Sequence, residues 1–226
     1  MSTHAATWCW IRTESAPSQC SGGYSRMNMK DHWDSVYQSK ADEDLSWTQL
    51  EPRMSLALIG EACPAGRVID VGGGRSVLAE RLLDRGYSVT VLDISEAALD
   101  RACKRLGDKA SQIRWIAADI AAGPTLESFD VWHDRAVFHF LTAPADRAAY
   151  KALLVQTVPV GGQAVIATFA LDGPEKCSGL EVHRYNGPTL AAELGSQFAL
   201  LKSLPEIHVT SWGKRQSFQY SLFRRV

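Results

Sequence analysis

The residue types best suited to bind a charged cofactor lie in one short segment, Asp70-Val71-Gly72-Gly73-Gly74-Arg75-Ser76. An apolar run enters the glycines and a helical pattern follows, which predicts a strand, a tight turn and a helix N-terminus. Glycines in such a turn let the backbone adopt positive φ and approach a ligand closely. A second apolar run, residues 88–92, ends in Asp93, whose carboxylate can accept hydrogen bonds from both hydroxyls of a ribose. These residues predict a site for a nucleoside-containing cofactor.

The glycine spacing distinguishes between two classes of cofactor. The dinucleotide fingerprint requires G-x-G-x-x-G, and no glycine stands at its last position here. The order D-x-G-x-G-x-S, from Asp70 to Ser76, resembles the first motif of class I S-adenosylmethionine (SAM)-dependent methyltransferases, usually D/E-x-G-x-G-x-G. Ser76 departs from the last glycine of that motif, but a small residue that can cap the following helix is compatible with it.

Further signals follow in the order typical of that family. Ser95 is suited to cap a helix, a third strand ends in Asp119, a fourth covers 129–134, and Pro159-Val160-Gly161-Gly162 leads into a fifth. The resemblance implies SAM as cofactor, S-adenosylhomocysteine (SAH) as product, and a contact from Asp119 to the adenine amino group. The full set of cofactor contacts that we expect from this part of the chain is Asp70, Gly72, Gly73, Gly74, Asp93, Ile94, Asp119, Ile120, Asp134 and Arg135.

Methyl transfer from a sulfonium is a one-step displacement that depends on alignment and exclusion of water more than on acid–base groups. Asp134 follows the fourth strand, where it either receives the donor's ammonium, acts as a base, pairs with Arg135 or caps a helix. His139 either faces the acceptor or is a buried core histidine. Cys177 lies after the fifth strand, on the side where ligands bind, and either contacts the acceptor or has no role. We predict catalytic roles for Asp134, His139 and Cys177.

Aromatic residues before the first helix predict an amino-terminal lid, residues 31–47. Trp33, Tyr37 and Trp47 are expected to cover the cofactor, because tryptophan and tyrosine faces attract a sulfonium cation. The alternative is that they only pack a helix onto the sheet. The W-D-x-x-Y pattern resembles small bacterial methyltransferases. It is also similar to a group of eukaryotic lysine methyltransferases, which carry Asp-Lys-Gly where this chain has Asp134-Arg135-Ala136.

A small-molecule acceptor is favoured because the chain has neither an added substrate domain nor a basic groove. The layout resembles thiol and metalloid methyltransferases, which implies a soft nucleophile (thiol, selenol or metalloid). The main alternative is a protein-lysine methyltransferase, and a third is a non-catalytic SAM-binding protein. Side chains that could line a lysine channel in the second half of the chain are Phe169, Asp172, Glu175, Glu181 and Tyr185.

The order of elements predicts the fold class. Strands alternate with helices along 226 residues with 46% hydrophobic content, which predicts one α/β domain. The expected architecture is a Rossmann-like three-layer sandwich with a mostly parallel seven-stranded sheet. Residues 198–209 and 216–223 are expected to form its C-terminal antiparallel hairpin. We expect residues 1–28 to be a disordered extension and residues 29–226 to be a single SAM-dependent methyltransferase domain.

Charge and cysteine usage exclude other classes. The formal net charge of −1 argues against a nucleic-acid partner, and no apolar run reaches the length of a membrane span. The five cysteines lack C-x-x-C spacing, so we expect no metal site. Their number is odd and the fold type that the resemblance implies is intracellular, so we expect free thiols and a cytoplasmic location. We expect a monomer or a homodimer.

Overall fold

The computed structural model describes residues 9–12, 26–41 and 44–226. Its main sheet contains eight strands in the order β1-β4-β3-β2-β5-β6-β10-β9. The strands of this sheet are β1 (Trp10–Arg12), β2 (Arg67–Val71), β3 (Ser88–Asp93), β4 (Arg114–Ala117), β5 (Val131–Arg135), β6 (Gln163–Phe169), β9 (Phe198–Val209) and β10 (Arg215–Arg225). A separate small hairpin is formed by β7 (Lys176–Cys177) and β8 (Leu180–Glu181).

Six helices accompany the sheet in the described part of the chain. They are α1 (Arg26–Ser39), α2 (Arg53–Ala62), α3 (Leu78–Leu83), α4 (Glu96–Leu106), α5 (Pro144–Thr157) and α6 (Gly187–Leu194). Ser95 caps α4 as expected, since its side chain accepts a hydrogen bond from the Ala98 N–H. None of the helices in the described ranges is long and apolar enough to cross a membrane.

The sheet is parallel except at its C-terminal end, where β10 runs antiparallel to both β6 and β9. This confirms the predicted Rossmann-like, mostly parallel architecture, although the sheet has eight strands in the described residues where seven were expected. Alternate residues of β6 belong to different hydrophobic clusters: Val165 and Ala167 face one, Ala164 and Ile166 the other. Both faces of the sheet are therefore covered, which explains why its strands are almost continuously apolar.

The main difference from expectation lies at the amino-terminal edge of the sheet. Part of the segment expected to be disordered forms β1, which pairs in parallel with β4 and brings Trp10 opposite Trp115. The expectation of free thiols is wrong for one pair, because Cys9 beside β1 and Cys103 of α4 form a disulfide. Residues 1–8 and 13–25, the rest of the predicted extension before α1, lie outside the described residues.

The connectivity determines where a ligand can bind. The chain runs from β2 through β3 to β4 on one side, then returns to place β5 and β6 on the other side of β2. The strand order therefore reverses between β2 and β5. In open α/β sheets, ligands bind beyond the carboxyl ends of the strands at this switch point.

Candidate active site

A cavity of about 380 Å³ lies beyond the carboxyl ends of β2, β3, β4 and β5. Its wall includes residues from all of these strand ends, from α1, and from the loop after β6. The predicted site residues that line it are Trp33, Tyr37, Trp47, Gly72, Asp93, Ile94, Asp119, Ile120, Arg135 and Cys177. A second cavity, of about 280 Å³, adjoins it through Gly72 and is also lined by Asp70, Gly73 and Arg135. Ten of the 22 residues that line the larger cavity are thus among those predicted from the sequence.

The glycine turn is shaped by close packing as much as by its conformation. Gly72 has φ of +69°, and a Cβ at this position would collide with the Val137 side chain. A Cβ on Gly73 would overlap the carboxylate of Asp70. A Cβ on Gly74 would lie 2.6 Å from Asp93 Oδ2. Gly73 and Gly74 thus leave room for the carboxylates of Asp70 and Asp93 directly beneath the turn.

Asp93 ends β3 inside the cavity wall. Its Oδ2 accepts a hydrogen bond from the Gly74 N–H at 3.0 Å and its Oδ1 accepts one from the Ser95 N–H at 2.8 Å. Burial raises the pKa of Asp93 to about 6, although both N–H donors oppose that shift. The carboxylate is therefore ionised at neutral pH, with its orientation fixed by two backbone donors.

The next two predicted contacts lie at the end of β4. Asp119 accepts a hydrogen bond from the Ala121 N–H and opens a short 3-10 helix, Ile120–Ala122. Ile120 is buried and, together with Ile94, provides apolar surface in the cavity wall. An acidic side chain beside two isoleucines suits a flat heterocycle that carries an amino group.

The lid aromatics form a cluster over the cavity. The Trp33 ring lies 6.1 Å from Tyr37, 5.7 Å from Trp47 and 5.0 Å from Phe140, measured between centroids. Burial raises the pKa of Tyr37 well above its usual range, so this phenol stays neutral. Phe140 was not predicted as a site residue, although it lies next to His139 in an aromatic segment. The cluster provides apolar faces that exclude water from the cavity.

Arg135 connects the lid to the sheet. Its Nη1 donates to the Trp47 carbonyl at 2.9 Å, and its Nε donates to the Tyr220 hydroxyl at 2.9 Å. The guanidinium lies over the Phe218 ring, 4.5 Å from the centroid. The next residue, Ala136, has φ of +69°, a left-handed conformation that glycine adopts more readily. The Arg135 side chain contributes to the walls of both cavities.

Asp134 does not line either cavity. It is fully buried, accepts hydrogen bonds from the N–H groups of Val137 and Phe138, and accepts one from the Tyr150 hydroxyl at 2.7 Å. Burial raises the pKa of Asp134 to about 6. Of the alternatives considered from the sequence, the helix cap matches this geometry. The predicted contact with cofactor or acceptor does not.

His139 is also directed away from the cavities. It is fully buried, and its Nδ1 accepts a hydrogen bond from the Phe169 N–H at 3.3 Å. Burial lowers the pKa of His139 to about 3, so the imidazole is neutral at physiological pH. The structure therefore places His139 in the core and not at the catalytic position that we predicted.

Cys177, the third predicted catalytic residue, does line the larger cavity. It lies in β7, and burial raises the pKa of its thiol to about 11. A thiol with this pKa stays protonated at neutral pH, which excludes a thiolate nucleophile. Cys177 thus offers the cavity a neutral, polarisable sulfur.

The side chains considered for a lysine channel lie elsewhere. The set Phe169, Asp172, Glu175, Glu181 and Tyr185 contributes no residue to either cavity wall. Phe169 and Tyr185 are core residues. Wall residues that the sequence analysis did not identify include Met29, Thr142 and Asp146, none of which belongs to a recognisable motif.

Comparison with known proteins agrees with this geometry. Residues 68–161 match a family described as "Methyltransferase domain". A malonyl-[acyl-carrier protein] O-methyltransferase of Anoxybacillus flavithermus is 29% identical over 127 residues, covering 54% of this chain and 47% of that protein. An eEF1A lysine and N-terminal methyltransferase of Danio rerio is 26% identical over 145 residues, covering 62% of this chain and 21% of that protein. The chain spans less than half the length of either relative.

A solved structure extends the similarity to nearly the whole chain. The 1,6-didemethyltoxoflavin-N1-methyltransferase of Burkholderia thailandensis, solved with bound 1,6-didemethyltoxoflavin and S-adenosylhomocysteine, superposes with a TM-score of 0.65. The sequences are 17% identical, and the alignment covers 95% of each chain. At that identity, the likeness establishes the fold.

Fold and site together describe a Rossmann-like domain with a glycine turn and a buried acid, Asp93, at the end of β3. Together with the match over residues 68–161, they give the chain the fold and the glycine turn typical of class I SAM-dependent methyltransferases. The residues present fit SAM as cofactor. Asp93 is positioned for a ribose, the Asp119 end of the cavity suits adenine, and Asp70 Oδ2 is buried beneath the turn with no partner among the described residues.

Proposed function

We propose that the protein transfers a methyl group from SAM to a small-molecule acceptor, and that this acceptor is a soft nucleophile such as a thiol, a selenol or a metalloid. The observation that carries the proposal is the composition of the larger cavity. Its wall is rich in aromatic and aliphatic side chains, and among the described residues it contains neither histidine nor lysine. Such a site suits an acceptor that supplies its own ionised or lone-pair nucleophile.

The available acid–base groups support this class of acceptor. The pKa of Cys177 is too high, and that of Tyr37 far too high, for either side chain to act as a base at neutral pH. Both carboxylate oxygens of Asp93 accept hydrogen bonds from backbone N–H groups, and the side chain is expected to bind the ribose. An alcohol needs a base during transfer, whereas a thiol ionises readily and a trivalent metalloid attacks through a lone pair.

The chain's own residues can favour the displacement without proton transfer. SAM supplies a methyl group on a positively charged sulfonium. The cluster of Trp33, Tyr37, Trp47 and Phe140 presents aromatic faces that stabilise a cation and keep water out. We propose that Cys177 contacts the acceptor as a neutral thiol.

Protein-lysine methylation is the second candidate, and the similarity to the Danio rerio protein favours it. The cavity does contain aromatic rings together with Asp119 and Asp146, a combination suited to an amine. The carboxylates expected from the second half of the chain are absent from that wall, which weakens this candidate. A SAM-binding protein without catalysis is the third.

An acceptor panel with the purified protein tests the proposal. Radiolabelled SAM is incubated with alkyl and aryl thiols, a selenol, arsenite, tellurite, phenols, carboxylic acids and lysine-containing peptides. We expect labelled product from soft acceptors at rates well above those of the others. Transfer to phenols or acids alone would refute the soft-acceptor assignment but retain a small-molecule acceptor. Transfer to peptides alone would establish the second candidate. The Gly72→Val variant controls for contaminating activity.

A further inference from the structure

A row of neighbouring buried polar side chains runs beneath the glycine turn. Asp70 Oδ1 lies 2.7 Å from His133 Nδ1, and His133 Nε2 lies 2.9 Å from Ser55 Oγ. The Ser55 hydroxyl also lies beside the Tyr220 hydroxyl, which accepts from Arg135 Nε at 2.9 Å. We refer to these five residues as the buried relay. It joins a carboxylate of the cofactor motif to the cationic side chain in the cavity wall.

The relay draws its members from four elements of the fold. Asp70 and His133 are direct partners in the parallel pairing of β2 with β5. Ser55 comes from α2, and Tyr220 comes from β10 at the far side of the sheet. Asp70, His133, Ser55 and Tyr220 are each at most 2% exposed. Hydrogen bonds in such a desolvated environment are strong when satisfied and costly when broken.

Hydrogen bonds support both ends of the relay. A guanidinium can only donate, so the Tyr220 oxygen accepts from Arg135. At the other end, the His133 ring bridges Asp70 and Ser55 through its two nitrogens. These contacts restrict the orientations of Asp70 and Arg135.

Each end of the relay retains one unused polar atom. Asp70 Oδ2 and Arg135 Nη2 are both buried and have no hydrogen-bond partner in the described part of the chain. Both residues line the smaller cavity, which meets the larger one at Gly72. Asp70 presents a negatively charged acceptor to this cavity, and Arg135 presents a positively charged donor. Together they match a zwitterion. Its ammonium would bind at Asp70 and its carboxylate at Arg135.

We propose that Ser55, His133 and Tyr220 are positioning residues that hold Asp70 and Arg135 ready for the amino-acid end of the cofactor. The inference rests on the assignment of SAM as cofactor and of methyl transfer as the function. It assigns a role to three side chains that lie outside the glycine motif. It also explains why a histidine and a serine are buried directly below a cofactor site.

Two ligands distinguish positioning from simple structural support. SAH carries the amino-acid end, whereas 5′-methylthioadenosine keeps the adenosine and lacks that end. Affinities of both are measured by calorimetry for the wild type and for Ser55→Ala and Tyr220→Phe. The matched control is Tyr87→Phe, which removes another buried hydroxyl, one that donates to the Cys63 carbonyl at 2.7 Å, away from both cavities.

We expect each relay variant to weaken SAH binding roughly 3- to 30-fold, the range of one or two lost hydrogen bonds. Affinity for methylthioadenosine should stay within about twofold, and Tyr87→Phe should change neither ligand, as the lost hydrogen bond is remote. Equal weakening of both ligands, or unchanged SAH affinity in both relay variants, would overturn the inference. A wild type that binds neither ligand would refute the cofactor assignment itself, which separates the two failures.

Discussion

The Ser95 hydroxyl donates a hydrogen bond to Asp34 Oδ1 over 2.6 Å. The backbone N–H of the same serine donates to Asp93 Oδ1 at 2.8 Å. One residue at the start of α4 therefore links the aspartate of the W-D-x-x-Y segment, in α1, to the aspartate at the end of β3. The amino-terminal lid and Asp93 are thus held through a shared partner. The sequence pattern showed Asp34 but gave it no role.

Removal of that link is expected to loosen the lid. Asp34→Ala deletes the acceptor of Ser95 and the partner of Lys30 Nζ at 2.6 Å, so unfolding free energy should fall by about 1–3 kcal/mol. SAH affinity should fall as well, because Asp93 loses part of its support. Denaturant unfolding and calorimetry measure the two effects. Asp31→Ala, an exposed position in the same helix, is the control and should change neither quantity.

The glycine turn should not tolerate a side chain at Gly72. Gly72→Val combines a positive φ with a collision against Val137, so SAM and SAH binding should be lost. Gly60→Ala is the matched control, because a Cβ there meets nothing within 4 Å and the position lies in α2. Binding is measured by calorimetry on folded protein. Normal SAH affinity in Gly72→Val would contradict the placement of the cofactor.

Cofactor affinity should depend on pH through Asp93. Burial raises its pKa in the folded protein to about 6, above the usual value of 3.8, so the free site holds a proton below pH 6. Ribose hydroxyls donate to the ionised carboxylate, and SAH affinity should therefore fall as pH drops through 6, by up to about tenfold per pH unit. Calorimetry between about pH 5 and pH 8 measures this dependence. In Asp93→Asn, affinity should be low and nearly independent of pH over that range.

The raised pKa of Asp93 has the opposite effect on the stability of the SAH-free protein: stability falls as pH rises, whereas SAH affinity increases. A carboxylate whose folded pKa exceeds its unfolded value contributes most to stability when protonated. That contribution is lost as pH rises from about 4 to about 6. Asp93 and Asp134 both follow this rule. Unfolding of the SAH-free protein at about pH 5 and pH 7 should show lower stability at the higher pH from these two groups, and Asp134→Asn should reduce the difference.

The strands and the cofactor half of the site were predictable because their signals are local. Apolar runs that end in Asp70, Asp93 and Asp119 indicate parallel strands, and the carboxyl ends of such strands meet at one edge. The hairpin of β9 and β10 was expected because the resemblance to class I methyltransferases implies a C-terminal antiparallel hairpin. The C-terminal half of the larger cavity wall was not, because Thr142 lies in a loop without periodicity and Asp146, in the first turn of α5, belongs to no recognisable motif.

The predictions for Asp134, His139 and the Cys9–Cys103 pair were wrong because no local sequence signal reports their placement. β5 is buried on both faces, so its sequence does not show which alternate residues face the site, and Asp134 turned inward while Arg135 faces the cavity. His139 lies in a short 3-10 helix whose rotation no periodicity reports. The Cys9–Cys103 disulfide joins positions 94 residues apart and pins β1, which residue spacing alone does not predict.

Cys177 should affect the acceptor more than the chemical step. Its thiol stays protonated because burial raises its pKa to about 11, so Cys177→Ser should raise KM for a soft acceptor by roughly 2- to 10-fold, with kcat changed less than about threefold. Steady-state kinetics on the best acceptor of the panel measure both constants. A loss of kcat beyond about a hundredfold would instead indicate direct participation in the reaction.

The central claim is methyl transfer from SAM to a small molecule. The most direct measurement is transfer from radiolabelled SAM into a lysate by the wild-type protein, with Gly72→Val as the inactive control. Small-molecule (including volatile), protein and nucleic-acid fractions are counted separately. We predict that label above the control enters the small-molecule fraction. Label confined to a protein band would contradict the claim in favour of lysine methylation, and label in no fraction from a protein that binds SAM would contradict catalysis.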